Sequence, residues 1–527
     1  MTEGTAADWD IIVIGGGITG AGILREAVNR GYRCLLVEQR DFAWGTSSRS
    51  SKMVHGGFRY LASGNFKLTR HALLERERLI SEAPGLVTRL GYFFPLYKNQ
   101  FPPRFAARLL FWLYDRIAGI RNHHRVSNRK LSEIFNQIDT TELNGAFYYT
   151  DAVTDDARLV LRVLQEATDA GGMVRNYSKA TGLLRNGGRV TGIRLQDTGS
   201  DESLELKARV VINATGAWAN RLAEEPEAGL TIRPQRGSHI VLCAEKFPVK
   251  DAIFLVHPRD SRRLFVYPWE GRTIIGTTDI YHPMDLDIAA SITREELDYL
   301  LVAANQLFSE SPPAENDIIS TWSGVRPIIT TKGSGDPSKA SREHKVWVEE
   351  GMVSCSGGKM TTFHHMALDV IKKAQGFLPQ VTPTGYTRMF EPVTASGGDV
   401  LPSDPATGEA ILGRFGERAR ELLNHAAENE AVPLAGTGTC LAELRWSIMN
   451  EAVVHLDDLM LRRTRLGNLM HEGGEAVLDS IKPILMQELG WDEVHWSDEL
   501  KRYRGIINQH YSVPGAVGSA PARPATP

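Results

Sequence analysis

Asp10-Ile-Ile-Val-Ile14, Gly15-Gly-Gly-Ile-Thr-Gly20, the segment to Asn29, and Arg33-Cys-Leu-Leu-Val-Glu38 decide the fold of this chain. The first run is β-branched and short, as a buried strand is. Ile18 to Asn29 has helical spacing and stops near Gly31, and Arg33 to Glu38 reads as a second buried strand. Together they form a βαβ unit of roughly 30 residues, the length of a dinucleotide-binding start. Gly15-x-Gly17-x-x-Gly20 falls at the strand-to-helix turn. Gly15 permits the turn, Gly16 lies within it, Gly17 lets a pyrophosphate approach the backbone, and Gly20 lets helix and strand pack closely. The helix N-terminus offers free N–H groups and partial positive charge to phosphates. Glu38 ends the second strand, where a carboxylate accepts from ribose hydroxyls. The pattern predicts a dinucleotide site and does not separate NAD from FAD.

Working outward, Asp156 to Ala170 reads as a helix, followed by strands at Arg189–Gln196 and Ala208–Asn213. Between 232 and 280 the pattern alternates, with glycine and proline punctuation, which predicts a largely antiparallel sheet in a substrate-facing domain. From about 395 the texture is helical, at Glu409–Leu423, Cys440–Arg463 and Gly474–Leu489. Ser512 to Pro527 is rich in Pro, Ala and Gly and reads as a disordered tail.

The chain has 527 residues, too many for one compact core, so two or three domains are expected. A net charge of −3 argues against a nucleic-acid binder. The four cysteines form no CxxC pair, so neither a metal site nor a disulfide framework is read, and a reducing compartment is expected. The first apolar run, Ile11 to Ile14, follows acidic residues and enters glycines, unlike a secretory signal. No segment has the length and apolarity of a bilayer span, so membrane contact would be peripheral.

Two segments favour FAD. Asn213-Ala-Thr-Gly216 ends a strand with small residues (Ala214, Gly216) suited to close approach of a nucleotide. Gly357-Gly-Lys-Met-Thr-Thr362 precedes a helix starting near Phe363. The N-terminus of that helix would stabilise negative charge on a reduced isoalloxazine, with Gly358, Lys359, Met360 and Thr361 beside it.

The run Thr46-Ser-Ser-Arg-Ser-Ser-Lys-Met-Val-His-Gly-Gly-Phe-Arg-Tyr60 resembles the signature of the FAD-dependent, membrane-associated sn-glycerol-3-phosphate dehydrogenases. So do Asp155–Leu159, Gly237–Val241, Ile275–Asp279, Ser323–Pro327 and Gly357–Thr362, in the family's order over roughly residues 8 to 370. Glu451 and Asp457–Thr464 look like its helical cap. The resemblance implies an α/β fold: a glutathione-reductase-type FAD-binding Rossmann domain, an antiparallel-sheet substrate domain and a C-terminal α-helical cap. The FAD-binding domain is expected at 8–80, 151–230 and 326–390, a membrane-facing or substrate segment at 81–150, and the substrate sheet at 231–325. The helical domain is expected at 395–511 and the tail at 512–527. The implied reaction, part of glycerol metabolism, oxidises sn-glycerol 3-phosphate to dihydroxyacetone phosphate and passes electrons to a membrane quinone of the respiratory chain. The implied location is cytoplasmic, peripherally on the inner face of the cytoplasmic membrane. The resemblance leaves a homodimer open.

A dianionic phosphate needs fixed cations and donors. Arg59, Arg326 and Lys359 lie within the blocks above, and Tyr60 adds a hydroxyl; the resemblance places Arg59 and Tyr60 at the phosphate. The hydroxyl proton at C2 needs a base, for which His239, mid-strand beside Gly237, and His55, before a Gly-Gly turn, are the candidates. Arg326 is the alternative group to orient or polarise that hydroxyl. Thr46, Ser47, Ser48, Ser51 and Lys52 are expected to line the cofactor. Phe363 stands where the family often carries Tyr, which puts one hydroxyl contact in doubt. The stretch from Phe101 to Ile120, with Arg104, Arg108, Arg116, Trp112 and Tyr114, suits either an interfacial helix or a core helix. The alternative activity is a soluble FAD oxidase of the same fold that uses oxygen and produces peroxide.

Overall fold

The computed structural model describes residues 8–57, 61, 64–98, 103–136, 138–199, 202–222, 230–331, 343–383, 388–393, 405–427, 429–434 and 436–515. Arg59, Tyr60 and 516–527 of the expected tail lie outside the described residues.

Among the described residues the long strands form two sheets. Trp9–Ile14 lies at the centre of the first, parallel to Cys34–Val37 on one side and to Ser203–Asn213 on the other. Met352–Ser356 and Met173–Arg175 extend the parallel row, and Lys345–Glu349 closes one edge antiparallel. Both faces of the central strand are buried. Ile11 and Val13 pack toward the helices Ile18–Asn29, Asp156–Asp169 and Phe363–Ala374. Ile12 and Ile14 pack toward the strands Ser178–Asn186 and Arg189–Asp197. That two-sided burial explains the unbroken apolar run in the sequence. Each such aliphatic side chain contributes on the order of 2 kcal/mol relative to exposure.

The second sheet is built on two long antiparallel strands, Leu230–Cys243 and Ile318–Thr331. It continues through Arg272–Gly276, Arg263–Trp269 and Ala252–Val256. Ala252–Val256 then pairs parallel with Val87–Tyr97, which runs antiparallel to Leu143–Thr154, with Met53–Val54 at the edge. The sheet therefore recruits strands from 81–150, and its strand Ile318–Thr331 runs across the expected boundary at 325. The helix Arg294–Leu307 covers the outer face.

The helix Arg104–Ala118 has two faces. Ala107, Phe111, Tyr114 and Asp115 are buried, whereas Phe105, Leu109 and Trp112 are 78%, 62% and 52% exposed. Among the described residues no helix is long and apolar enough to cross a membrane.

Past 405 the chain is helical: Pro405–Phe415, Arg418–His425, Leu441–Asn450, Leu478–Leu489 and Glu493–His510. The last of these escapes the sequence reading, because its apolar stripe is sparse among charged residues. This module docks through buried ion pairs. Asp41, fully buried, accepts from Arg462 and Arg463, and Arg463 Nη1 lies 2.6 Å from it. Arg462 also binds Asp457 at 2.7 Å, and Arg158 binds Glu451 at 2.7 Å. Asp155 caps the helix Asp156–Asp169 and also meets Arg465 at 3.0 Å. The two arginines hold the Asp41 carboxyl below its usual range against the opposing cost of burial.

Removing one partner of such a network strands the other charge in a dry interior. Asp41→Asn is expected to destabilise the protein by about 3–5 kcal/mol, seen by calorimetry as a lower-temperature transition. Arg129→Ala, which breaks the exposed pair with Glu133, is expected to change stability by less than about 0.5 kcal/mol.

Candidate active site

A single cavity of about 960 Å³ runs from the glycine turn after Trp9–Ile14 to the inner face of the second sheet. Its dinucleotide end is built as the fingerprint requires. Gly15 has φ +114°, and a Cβ there would lie 2.6 Å from the Ala214 carbonyl oxygen, so any side chain would separate two parallel strands. Gly17 caps the helix Ile18–Asn29, and the Ile18 amide donates to Ser47 Oγ at 3.0 Å. Glu38 lines the cavity with both carboxylate oxygens already accepting, from the Gly16 amide at 2.7 Å and the Arg40 amide at 2.9 Å. Burial raises its pKa, and the two amides oppose that shift. Asn213 Oδ1 accepts from the Thr215 hydroxyl at 2.7 Å and its Nδ2 donates to Ala219 O, fixing the loop that carries Ala214 and Gly216 to the wall.

At the other end, Gly358, Lys359, Met360 and Thr361 line the cavity where a 3₁₀ turn, Met360–Thr362, leads into the helix Phe363–Ala374. The turn before that helix and Met366 in its first turn line the cavity. The Thr361 hydroxyl accepts from the His55 amide at 3.3 Å, so the signature loop and the helix start form one surface. Arg326 enters from the strand Ile318–Thr331. Its guanidinium lies against Gly237, where a Cβ would sit 2.5 Å from Nη2, and it donates to Thr277 Oγ1 at 3.2 Å and Asp279 Oδ1 at 3.4 Å. Thr277 and Asp279 thus orient Arg326. The sequence quotes them in a motif, but only the sheet register reveals that role.

Of the expected site residues, Gly15, Gly17, Glu38, Thr46, Ser47, Ser51, His55, Ala214, Gly216, Arg326, Gly358, Lys359, Met360 and Thr361 all line this one cavity. Five others do not. Gly16 and Gly20 shape the turn from behind; a Cβ at Gly20 would meet the Gly15 carbonyl oxygen at 1.9 Å. Ser48 is buried in the turn, with its hydroxyl toward Gly45 O. The expectation that Lys52 contacts the cofactor is corrected. Its ammonium is 1% exposed, donates to Asp156 at 2.8 Å and to Ser48 O at 3.1 Å, and lies over Trp269 and Trp322. The direct role expected of His239 is corrected as well. It is buried, stacked on Trp322 at 4.9 Å, and stands behind Ser51, whose Oγ lies 2.9 Å from Nε2. Ser51 is the group that meets the cavity.

Phe363 is fully buried against Gly22 between two helices. Its ring fills a packing position, away from the cavity. Residues the sequence reading missed include Trp44 and Trp218, at the cavity mouth with Arg40 over the Trp44 ring at 4.0 Å and Trp218 Nε1 bonded to Asp287. Among the described residues no group of three or more His, Cys, Asp or Glu side chains is arranged to hold a metal.

Burial, reinforced by the Arg326 and Lys52 charges, holds His239 well below 6.5. It is therefore neutral at physiological pH. Below about pH 6.5 the unfolded chain binds a proton that the folded one refuses, so stability falls as pH falls. The pH slope of unfolding free energy is expected to be shallower in His239→Gln than in the wild type, by about 0.7 kcal/mol per pH unit at pH 6.5 and approaching about 1.4 kcal/mol per pH unit a full unit lower. Equal slopes would show that His239 takes up its proton without unfolding.

Comparison with known proteins bears on the same cavity. A family model described as FAD dependent oxidoreductase matches residues 10–370, and one described as the C-terminal domain of alpha-glycerophosphate oxidase matches 379–495. The aerobic glycerol-3-phosphate dehydrogenase of Staphylococcus haemolyticus is 32% identical over 486 residues, 87% of this chain and 86% of that one. The glycerol-3-phosphate dehydrogenase of Mycobacterium leprae is 33% identical over 520 residues, 95% of this chain and 88% of that one. The solved glycerol-3-phosphate dehydrogenase of Bacillus halodurans, complexed with FAD, superposes with a TM-score of 0.71 at 26% identity, covering 95% of this chain and 94% of that one.

Proposed function

The chain belongs to the FAD-dependent oxidoreductases, in their glycerol-3-phosphate dehydrogenase family, and on that premise we propose that it oxidises sn-glycerol 3-phosphate to dihydroxyacetone phosphate and hands the electrons to a membrane quinone. The observation that carries this reading is that Arg326, Lys359, Ser51 and the turn leading into the Phe363–Ala374 helix line the same cavity as a dinucleotide turn.

The residues present fit FAD. Gly15, Gly17 and Ser47 would hold the pyrophosphate, Glu38 the ribose hydroxyls, Ala214 to Gly216 the adjoining backbone, and Gly358 to Thr361 the ring end. When bound, FAD supplies the acceptor for the hydride that leaves C2 of the substrate. Arg326, pinned by Thr277 and Asp279, presents a fixed cation to the substrate. Lys359 adds a second, and Arg59 and Tyr60 are assigned to the phosphate by the same reading. Two cations suit a phosphate better than a carboxylate and discriminate against uncharged glycerol. The C2 hydroxyl proton passes to Ser51, with neutral His239 behind it as the group that accepts it. The Phe363–Ala374 helix start favours negative charge at the ring end.

Peripheral attachment to the inner face of the cytoplasmic membrane is part of the proposal. Phe105, Leu109 and Trp112 would enter the interface, while exposed Arg104, Arg108 and Arg116 reach lipid phosphates.

Anaerobic mixing of the FAD-loaded protein with glycerol 3-phosphate is expected to bleach the flavin absorbance, glycerol alone leaving it unchanged. Arg326→Ala is expected to slow the bleaching at least ~100-fold, a loss of about 2.7 kcal/mol or more. Re-oxidation faster with a quinone than with oxygen supports the dehydrogenase; the opposite order, with stoichiometric peroxide, makes it an oxidase. Flavin that stays oxidised in fully loaded protein defeats the substrate assignment.

Sedimentation with vesicles containing anionic lipid is expected to carry down the wild-type protein and to lose most of a Phe105→Ser/Leu109→Ser/Trp112→Ser variant. Equal sedimentation of the two places membrane contact elsewhere.

A further inference from the structure

Arg326 is aimed by Thr277 and Asp279, and those two residues lie in a gap of the second sheet. The ladder between Leu230–Cys243 and Arg272–Gly276 ends at the pair His239 and Gly276, and the next begins at Arg236 and Ile280. Residues 277–279 belong to neither ladder; the Thr278 amide donates to Ser238 O at a long 3.4 Å. Side chains alternate along the three blocks that meet here. Gly237, Thr277, Asp279, Gly324 and Arg326 line the cavity. Ser238, Thr278 and Ser323 are buried and point to the other face of the sheet.

That outer face is otherwise an apolar layer. Ile240, Ile275, Leu297 and Leu300 are fully buried in it, beneath the helix Arg294–Leu307. No residue of this helix lines the cavity. It nevertheless sends a buried carboxylate, Glu296, into the layer. Glu296 Oε1 accepts from Ser238 Oγ at 2.9 Å and from Thr278 Oγ1 at 2.6 Å. Ser323 Oγ, 2.7 Å from Ser238 Oγ, is left to donate to it, and Thr278 Oγ1 accepts from the Ser238 amide at 2.9 Å. The second carboxylate oxygen lies 2.8 Å from Arg236 Nη2 and accepts from the Thr293 amide at 3.1 Å. Aliphatic side chains would pack such a layer without desolvating charge, and a buried ion pair adds little net stability. What the polar network does supply is fixed geometry, because one oxygen gathers hydroxyls from segments distant in sequence.

We propose that Glu296 is a positioning residue for substrate oxidation: through Ser238, Thr278 and Ser323 it fixes residues 277–279 against the strand Ile318–Thr331, and so sets the direction in which Thr277 and Asp279 aim the Arg326 guanidinium. Glu296 lies outside the cavity and acts only through these neighbours. The inference rests on the reading above that Arg326 is the cation that meets the substrate.

The test compares the FAD-loaded wild type with Arg236→Met/Glu296→Leu and with Thr278→Val. The double variant removes both buried charges and leaves an apolar layer, so its thermal unfolding midpoint is expected to stay close to that of the wild type. Its anaerobic bleaching by saturating glycerol 3-phosphate is expected to slow by about tenfold or more. Thr278→Val, which removes only a hydroxyl, is expected to slow bleaching in the same direction and covers the case in which the double variant does not fold. In an Arg326→Ala background neither change is expected to slow bleaching further by more than about twofold, a non-additivity that a merely structural defect would not give. Wild-type bleaching rates in both folded, loaded variants overturn the inference, as does a loss that adds in full to that of Arg326→Ala. Crystal structures of the wild-type and Thr278→Val holoproteins decide the placement without substrate. The guanidinium is expected to lose its bonds to Thr277 and Asp279 in the variant, and an unmoved Arg326 overturns the inference. Wild-type flavin that glycerol 3-phosphate does not bleach defeats the substrate reading instead, and the two crystal structures still decide the role of Glu296.

Discussion

Asp156 lies fully buried where its helix meets the 50–52 loop and the C-terminal module, and its carboxylate accepts from both. Ser50 donates from its amide at 2.9 Å and from its hydroxyl at 2.7 Å, Lys52 from its ammonium at 2.8 Å, and Arg465 from its guanidinium. Burying a lone carboxylate is costly; here Lys52, Arg465 and the Ser50 amide and hydroxyl surround it. The consequence is positional. Lys52 is held with φ +55°, and the loop carrying Thr46, Ser47, Ser51, Met53 and His55 is thereby set against the cavity. Because Arg465 belongs to the C-terminal module, the same carboxylate ties that module to the loop. The helical cap is therefore part of the site's support, although none of its described residues lines the cavity.

The cavity divides its chemistry by length. One end reads phosphates through backbone amides and the start of a helix, as parallel sheets do at their carboxyl edges. The other end carries the cations, with Arg326 oriented by Thr277 and Asp279 rather than left to rotate. A further wall, lined by Tyr92, Phe94, Tyr149, Phe254 and Phe265, is aromatic.

Much of this was legible in the residues. The βαβ start is local: its apolar runs, glycines and terminal acid lie within 29 residues, and its strand Trp9–Ile14 is buried on both faces as the unbroken run implies. The blocks around Gly358 and Arg326 also reached the cavity as expected. The placements of Lys52 and His239 were not legible because a side chain's direction is set by partners distant in sequence. Nothing near Lys52 announces that Asp156 and Arg465 will enclose it, and nothing near His239 announces Trp322. The aromatic wall was invisible for the same reason, since its rings come from strands near 92, 149, 254 and 265 that meet only through sheet pairing. The first five residues of the last long helix, Glu493–His510, include only Val494 and Trp496 as apolar side chains, which is too little for periodicity to detect.

Substrate labelled with deuterium at C2 tests the central claim most directly. If this cavity removes hydride from C2 of glycerol 3-phosphate, anaerobic flavin bleaching slows several-fold with the labelled substrate, and dihydroxyacetone phosphate appears without the label at that carbon. Bleaching at an unchanged rate, with deuterium still on C2 of the recovered three-carbon phosphate, would contradict the account.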